Sequence, residues 1–577
     1  MSSPLSVIAG LLITLCIHTG ESQANNDSES EICGDECCSL ADKITIALEE
    51  KKPVRRVSYS SLSTSHADIS FLPENAAQYP CFFRELKRVS RNLKKKIRVT
   101  FMASGMSFGE QSLPPGDAAT DYRISLDTSN LKGFRLIRRK KMIVEVGAGM
   151  TWAEVEKKTR EDTGIKTIPF DFPSSDNITV GGALASNTFS RTSDIGGNYV
   201  SGHVWSFTLI KPDGERINCS RSAQEGSIQR RCFWAVPGSM GALGLVEKVT
   251  IELQPISWRD VVHTQVLKTT STLSSFASEF RDAVKQNRRT KWYDQGLYGL
   301  ILGNPAEPYG RLIGSKKGGI IRRWNYLLNR AMGNIVLYQD SDFNGSSPMI
   351  LYGESNWRKA KLIRLAHHLA YTGVPDMVIR LFMSEGSRYT NDIYNYTFYH
   401  NGYWEAHGGK SVTEFASAHQ AWVVPSEMLE SFMQYAGDLL NSRAEGKEYR
   451  RWVYPHIMLQ DVTPVPRSKM VMSPHTTSDL LVYQITVAID QRDSDRARHT
   501  IAFFRELSEQ VAELGVKVHL LKETHVPDEL LRSQYQEGIE KIQALREELD
   551  PDRVIHSALW QRLDPIVAVE WPVSVFE

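Results

Sequence analysis

Three glycine-bearing segments are the residues best suited to chemistry in this 577-residue chain: Ala103-Ser104-Gly105-Met106-Ser107-Phe108-Gly109, Thr179-Val180-Gly181-Gly182-Ala183 and Pro237-Gly238-Ser239-Met240-Gly241-Ala242-Leu243-Gly244. Glycine and small hydroxyl residues directly after a buried strand make a loop whose backbone N–H groups can converge on phosphate oxygens, because no Cβ blocks the approach. Taken singly, each segment reads equally well as a turn. Neither a G-x-G-x-x-G opening a βαβ unit nor a G-x-x-x-x-G-K-[ST] P-loop occurs, so a nucleotide here is not held in Rossmann or Walker fashion. Lys522, after Val518-His519-Leu520-Leu521, reads on its own as a surface lysine at a strand end. His419, Gln420 and Ala421 lie in an apolar run in which alternate side chains share a face, so His419 and Ala421 point one way and Gln420 the other. Tyr483 and Gln484 pose the same two-way choice. Tyr394, Tyr396, Tyr399, His400, Tyr403 and Trp404 could stack on a sugar ring or line a lipid channel, with core packing as the ordinary alternative.

These groups need elements to position them. Short β-rich runs, Ile97 to Phe101, Met142 to Val146, Val204 to Ile210 and Val246 to Leu253, alternate with Gly-rich turns, and the spacing predicts a helix from Trp152 to Thr163. That mixture predicts an α+β domain whose loops carry the glycine clusters. From about residue 256 to 500, Trp, Tyr and Arg become frequent. There a helix, Ser426 to Leu440, accompanies strands Phe415 to Pro425 and Leu480 to Ile489, which reads as a second domain. A strand from Lys517 to Leu521 and a helix from Ser533 to Leu549, stopped by Asp550-Pro551, close the pattern. At 577 residues the chain exceeds the size at which one hydrophobic core keeps growing.

Composition excludes some classes. Apolar residues make up 41% and charged residues 23%, with a formal charge of +1, which marks an ordinary globular protein and gives no steering toward nucleic acid. Residues 1–24 read as a signal peptide: an apolar stretch from Leu5 to Ile17, then Ser22, Gln23 and Ala24 at a cleavable end. The n-region lacks Lys and Arg, so an uncleaved N-terminal anchor is the alternative and the only route to a membrane. Six cysteines remain after cleavage: Cys33, Cys37, Cys38, Cys81, Cys219 and Cys232. An oxidising compartment could pair them, in a connectivity the spacing does not reveal. A metal centre on Cys33, Cys37 and Cys38 is the weaker reading, because no further ligand set lies nearby. Residues 25–54 read as a polar, Cys-bearing lead-in.

In order and spacing, the glycine segments, together with Ile124-Ser125-Leu126-Asp127, Val144-Glu145-Val146-Gly147-Ala148-Gly149-Met150-Thr151-Trp152 and Lys211-Pro212-Asp213-Gly214-Glu215, resemble the FAD-binding domain of the vanillyl-alcohol oxidase superfamily. The resemblance runs from about Ile97 to Pro255. It implies an α+β fold, a two-subdomain PCMH-type FAD-binding domain (residues 55–255) with an inserted α+β substrate, or cap, domain (256–516) and a C-terminal segment (517–577) completing the flavin domain. It further implies FAD contacts from Phe101, Met102, Ala103, Ser104, Gly105, Met106, Ser107, Phe108, Gly109, Glu110 and Gln111. Ser174, Ser175, Thr179, Val180, Gly181 and Gly182 would add hydrogen bonds to the pyrophosphate. Ser186, Asn187, Thr188 and Phe189 continue that contact, and Val246 meets the adenine end. The family often anchors flavin through a histidine in the first loop. Met106 stands there and no Cys occupies the second attachment region near Asp194 to Tyr199, so non-covalent FAD is implied.

The C-terminal run Val518-His519-Leu520-Leu521-Lys522-Glu523-Thr524, the later Tyr535 and Leu549-Asp550-Pro551-Asp552-Arg553-Val554-Ile555-His556-Ser557 are similar to the decaprenylphosphoryl-β-D-ribose oxidase branch. That resemblance implies that Lys522 lies beside the reactive ring, that His519 touches FAD, and that Phe415 to Pro425 forms the floor of the site with His419 as the favoured residue. Reduced flavin gathers negative charge, which a nearby cation stabilises more strongly in a low dielectric, and a partly desolvated lysine can also serve as a base. Two positions depart from the branch: Phe189 replaces a histidine, and Phe108 replaces a common tyrosine. The implied activity is FAD-dependent oxidation of a CH–OH group in a sugar, polyol or hydroxylated lipid, with an unidentified electron acceptor. Reduction of a sterol-like C=C bond and a catalytically degenerate flavin scaffold are the alternatives.

Overall fold

The computed structural model describes residues 35–50, 52–60, 62–116, 121–169, 177–189, 199–256, 261–270, 272–289, 295–302, 332–340, 388–392, 415–477, 479–490 and 493–564. The expected leader at 1–24, Cys33, Ser174, Ser175 and the aromatic residues from Tyr394 to Trp404 lie outside them.

Three sheets carry most of the architecture. The first is parallel and three-stranded, in the order Ile69–Phe71, Asp121–Asp127, Lys96–Met102. Its last strand is buried from Ile97 to Thr100, as a strand covered on both faces must be. Helix Gln78–Leu93 packs on it through Tyr79, Phe82, Phe83, Leu86 and Val89, which recur at helical spacing, and ends where Lys94 turns left-handed at φ 51°. The expected polar lead-in is in part a helix, Asp35–Glu50. Leu40, Ala41, Ile44 and Leu48 form its buried stripe, which the acidic and cysteine residues ahead of it, Asp35 to Cys38, and the exposed Ile46 within it mask in the sequence. Its Cys37 is in disulfide linkage with Cys81, which removes it from any metal centre.

The second sheet is antiparallel and six-stranded: Arg216–Ser220, Val204–Ile210, Leu245–Ile256, Ile143–Gly147 and Phe134–Arg138 in order, with Lys166–Pro169 pairing against the far end of Leu245–Ile256. Helix Trp152–Thr163 begins in a reciprocal Thr151/Glu154 capping box and ends at Gly164, φ 73°. A second disulfide, Cys219–Cys232, ties a strand to helix Ile228–Ala235. With separations of 44 and 13 residues, the two cystines contribute roughly 4 and roughly 3 kcal/mol on a chain-entropy basis.

The third sheet has eight strands, in the order Arg388–Asp392, Val261–Thr270, Met332–Asp340, Gln295–Leu302, Ile457–Pro464, Leu480–Asp490, Phe415–Pro425, Lys517–Val518. Helices Leu429–Leu440 and Ser494–Val511 cover one face, with Phe432 against Tyr483 and Phe504 against Trp422. The other face meets the glycine loops.

The last sixty described residues serve two sheets. Lys517–Val518 extends the third sheet, whereas the backbone at Val554 and His556 bonds to both sides of Val99 in the first, at 2.8 and 3.0 Å. The strand expected to reach Leu521 stops at Val518, because His519 Nδ1 accepts the Leu521 N–H and the Lys522 N–H returns to the His519 carbonyl, closing a turn. The following helix spans Asp528–Leu549, starting earlier than expected because Pro527 pre-sets the entry and Asp528 and Glu529 suit a first turn. Among the described residues no helix is long and apolar enough to cross a membrane.

Candidate functional site

The first glycine loop leaves the strand Lys96–Met102 at Ala103 and turns at Gly105, whose φ of +69° is left-handed backbone suited to glycine. Backbone N–H groups of Ser104, Gly105, Met106 and Ser107 donate to no protein acceptor among the described residues. The loop is held from behind. Ser60 Oγ donates to the Phe108 carbonyl, and the Tyr59 N–H to that of Ser107, at 3.1 and 2.8 Å.

Beyond Phe108 the loop is bolted to the C-terminal turn. Gln111 Nε2 donates to the carbonyls of Leu520 and Lys522, both at 2.7 Å, while its Oε1 accepts the Gly109 N–H. A Cβ at Gly109 would lie 3.2 Å from the Lys522 carbonyl oxygen and 3.3 Å from the Glu523 Cα, so the approach requires glycine. Arg562 completes the joint. Its guanidinium reaches Glu110 (2.8 Å), Thr524 O (2.9 Å), Val526 O (2.6 Å) and Asp528 (2.7 Å), and the two carboxylates hold its pKa above the ordinary arginine value despite burial. Glu110 and Gln111, expected at FAD, therefore spend their side chains on this joint.

The joint aims Lys522. Its ammonium sits 3.8 Å above the centre of the Phe108 ring, a cation–π contact, and the same ring lies 4.5 Å from that of His419 on the third sheet. His419 Nε2 meets Ser417 Oγ at 2.7 Å, and Nδ1 meets Thr486 Oγ1 at 3.1 Å and Gln484 Nε2 at 3.4 Å. Gln420 faces the opposite way, fully buried, with Ser508 Oγ at 3.0 Å and the His525 N–H at 2.9 Å. Tyr483 also points into the core, donating to Gln460 Oε1. His419 and Gln484 are thus the members of those pairs on the face that meets Phe108.

The second glycine segment behaves otherwise. Thr179 caps helix Val180–Ser186 by accepting the Gly182 N–H, the Val180 N–H goes to Met150 O, and that of Gly181 goes to Ala148 O. The expected donation of these N–H groups to pyrophosphate is corrected: all three are spent inside the protein. Gly181 serves packing, since a Cβ there would come within 2.9 Å of the Ala148 Cβ. Ser186 Oγ donates to Gly182 O, Asn187 is left-handed with its Oδ1 on the Ser201 N–H, and the Thr188 N–H bonds Ala183 O. Phe101 and Met102 remain strand residues, Phe101 against Phe83 and Met102 accepting the Thr128 N–H. Val246 is buried at a bulge opposite Leu209.

Phe189 ends that segment inside a wall of rings, 5.9 Å from Tyr199, 6.0 Å from His475 and 5.6 Å from His519. Both imidazoles are buried. Burial, aided by the charge of Lys522, takes His519 down to about 3, and burial with His519 nearby holds His475 well below the ordinary value. Both rings are therefore neutral, and the Nε2 atom of each has no hydrogen-bond partner among the described residues. Tyr199, His475, Arg562, Ser417 and Thr486 escape sequence reasoning, since none belongs to a spaced motif.

The site is a loop with open N–H groups, a buried wall with an unpaired donor on His519, and a lysine between them. That donor set suits a molecule with a pyrophosphate and a polar heteroaromatic ring. A family model described as an FAD binding domain matches residues 84–220. Cytokinin dehydrogenase 2 of Arabidopsis thaliana is 27% identical over 190 residues, which cover 33% of this chain and 32% of that protein. The chain thus spans about a third of the length of the curated relative it matches. Residues 84–220 resemble a PCMH-type FAD-binding domain, as found in the vanillyl-alcohol oxidase superfamily, and the cofactor such a domain takes is FAD.

Proposed function

We propose that this protein is an FAD-dependent oxidoreductase that oxidises a CH–OH group of a sugar, polyol or hydroxylated lipid, in the manner of the decaprenylphosphoryl-β-D-ribose oxidase branch. The observation that carries the reading is the meeting of Lys522 and His419 at the Phe108 ring, where three distant segments bring a cation and an imidazole against one aromatic side chain. FAD supplies the hydride acceptor at its N5. Lys522 supplies positive charge where the reduced ring gathers negative charge, in surroundings that weaken competition from water. His419 is suited to take up the hydroxyl proton. Its neighbours Ser417 and Thr486 are hydroxyls that either donate or accept and so follow either protonation state of the ring, while Gln484 Nε2 at Nδ1 can only donate and favours the neutral one.

FAD is held without a covalent link, a reading supported by the thioether of Met106 in the first loop. Export through the 1–24 leader into an oxidising compartment is supported by the two cystines. The test uses purified protein. Flavin absorbance that leaves with acid precipitation supports the cofactor mode, and anaerobic bleaching by a panel of polyols, aldoses and hydroxylated lipids tests the chemistry. Lys522→Ala should keep FAD yet bleach more than about tenfold more slowly. An unchanged bleaching rate would overturn its assignment, and a flavoprotein that no member of the panel bleaches would overturn the substrate class.

A further inference from the structure

Hydrogen-bond roles of the two imidazoles beside Phe189 are fixed by their neighbours. The Leu521 N–H can only donate, and it donates to His519 Nδ1 at 3.1 Å, so the proton of the neutral ring sits on Nε2. Tyr199 O–H donates to the Pro466 carbonyl at 3.0 Å, so its contact with His475 Nδ1 is one in which the imidazole donates and Tyr199 oxygen accepts. His475 Nε2 is then a bare acceptor. The rings lie 5.1 Å apart, His519 is 5% exposed and His475 1%, and neither Nε2 has a partner among the described residues. One wall of the site therefore presents a buried donor next to a buried acceptor. Leaving each unmatched costs roughly 1–3 kcal/mol, so the pair selects a group that satisfies both.

Phosphate and carboxylate oxygens answer only the donor. An imide edge, with a carbonyl next to a ring N–H, answers both at once. We propose that His519 Nε2–H donates to a carbonyl oxygen of the flavin's pyrimidine ring while His475 Nε2 accepts the flavin N3–H, with Tyr199 as the positioning residue that fixes the His475 tautomer. The proposal rests on the FAD reading and extends it to residues outside every glycine segment. Position favours the flavin end of the cofactor, since His519 and Lys522 share one turn and the His519 N–H is anchored to the Ala421 carbonyl, two residues from His419.

The test is affinity, measured by flavin fluorescence on apoprotein titrated with FAD and with N3-methyl-FAD. The parent should bind the methylated cofactor at least about tenfold more weakly, as expected for a lost buried hydrogen bond. In His475→Phe the two flavins should bind within about threefold of each other, because the acceptor is gone. Tyr199→Phe keeps the ring packing but releases the tautomer, and should narrow the discrimination as well; it decides the matter if His475→Phe does not fold. Equal affinities in the parent, or discrimination undiminished in the folded variants, would overturn the proposal. Equal affinities are also the result expected if the pair grips the adenine edge or a substrate hydroxyl instead. A parent that takes up no FAD would sink the functional reading itself, a distinct outcome.

Discussion

Two glycine segments of similar composition, Ser104 to Gly109 and Thr179 to Ala183, perform different work. In the first, the N–H groups from Ser104 to Ser107 find no protein acceptor among the described residues; in the second, those of Val180, Gly181 and Gly182 are all consumed within the fold. The first leaves its donors open, and the second is a close contact between a helix and the sheet beneath it. Glycine content signals proximity, and the hydrogen-bond count says to what.

The first loop depends on a buried ion-pair joint, so its removal gives the largest expected effect. Arg562→Met strands Glu110 and Asp528, and breaking such a pair typically costs roughly 3–5 kcal/mol. Thermal melts of the apoprotein should fall by several degrees, and FAD affinity should fall with them, because the loop and the Lys522 turn lose their common anchor. A melt and an affinity both matching the parent would mean that the loop stands without the joint.

The imidazole wall gives a pH signature the loop does not. His519 is neutral in the folded state down to about pH 3, whereas in the unfolded chain it titrates near 6.5. Its contribution to stability is present above about pH 6.5 and is lost as pH falls toward 3, because only the unfolded state gains the proton in that window. His475 acts in the same direction. Denaturant titrations of the parent should show stability falling between pH 7 and 4. His519→Phe should flatten that slope, and an unchanged slope would assign the acid sensitivity to other groups.

Much of the scaffold was legible. Helix Trp152–Thr163 carries its own start and stop in Thr151, Glu154 and Gly164, and strand Phe415–Pro425 is a continuous apolar run between turn signals. The overshoot past Val518 came from reading Leu520 and Leu521 as strand, when the His519 side chain folds the backbone into a turn. Helix Asp35–Glu50 was hidden because its apolar stripe is narrow and opens after a polar, acidic, Cys-bearing stretch. The loss of the Val180 and Gly181 donors could not be read, since their acceptors, Met150 and Ala148, lie about thirty residues earlier in sequence, whereas the Gly182 donor goes to the nearby Thr179 cap. The same limit hid His475 and Tyr199, which meet across 276 residues.

Alanine at the two glycines separates the roles most directly. At Gly181, a Cβ would sit 2.9 Å from Ala148 Cβ and 3.1 Å from its carbonyl oxygen, an overpacking that costs roughly 1–3 kcal/mol. Gly181→Ala should lower the melting temperature while the folded fraction keeps its FAD affinity within about threefold of the parent.

Gly105 is the opposite case and the smaller effect. Its nearest neighbour to a new Cβ is the flexible end of Met102 at 3.7 Å, so the space is adequate, and the cost lies in holding alanine at φ +69°. That cost is about 1 kcal/mol, and an exposed loop avoids it by relaxing toward negative φ. Relaxation re-aims the N–H groups on either side of Gly105 while leaving the core untouched. Gly105→Ala should therefore melt with the parent and bind FAD several-fold more weakly, within about tenfold. If it melts lower and binds FAD normally, the two segments do the same structural work, and the distinction between an open and a consumed loop fails.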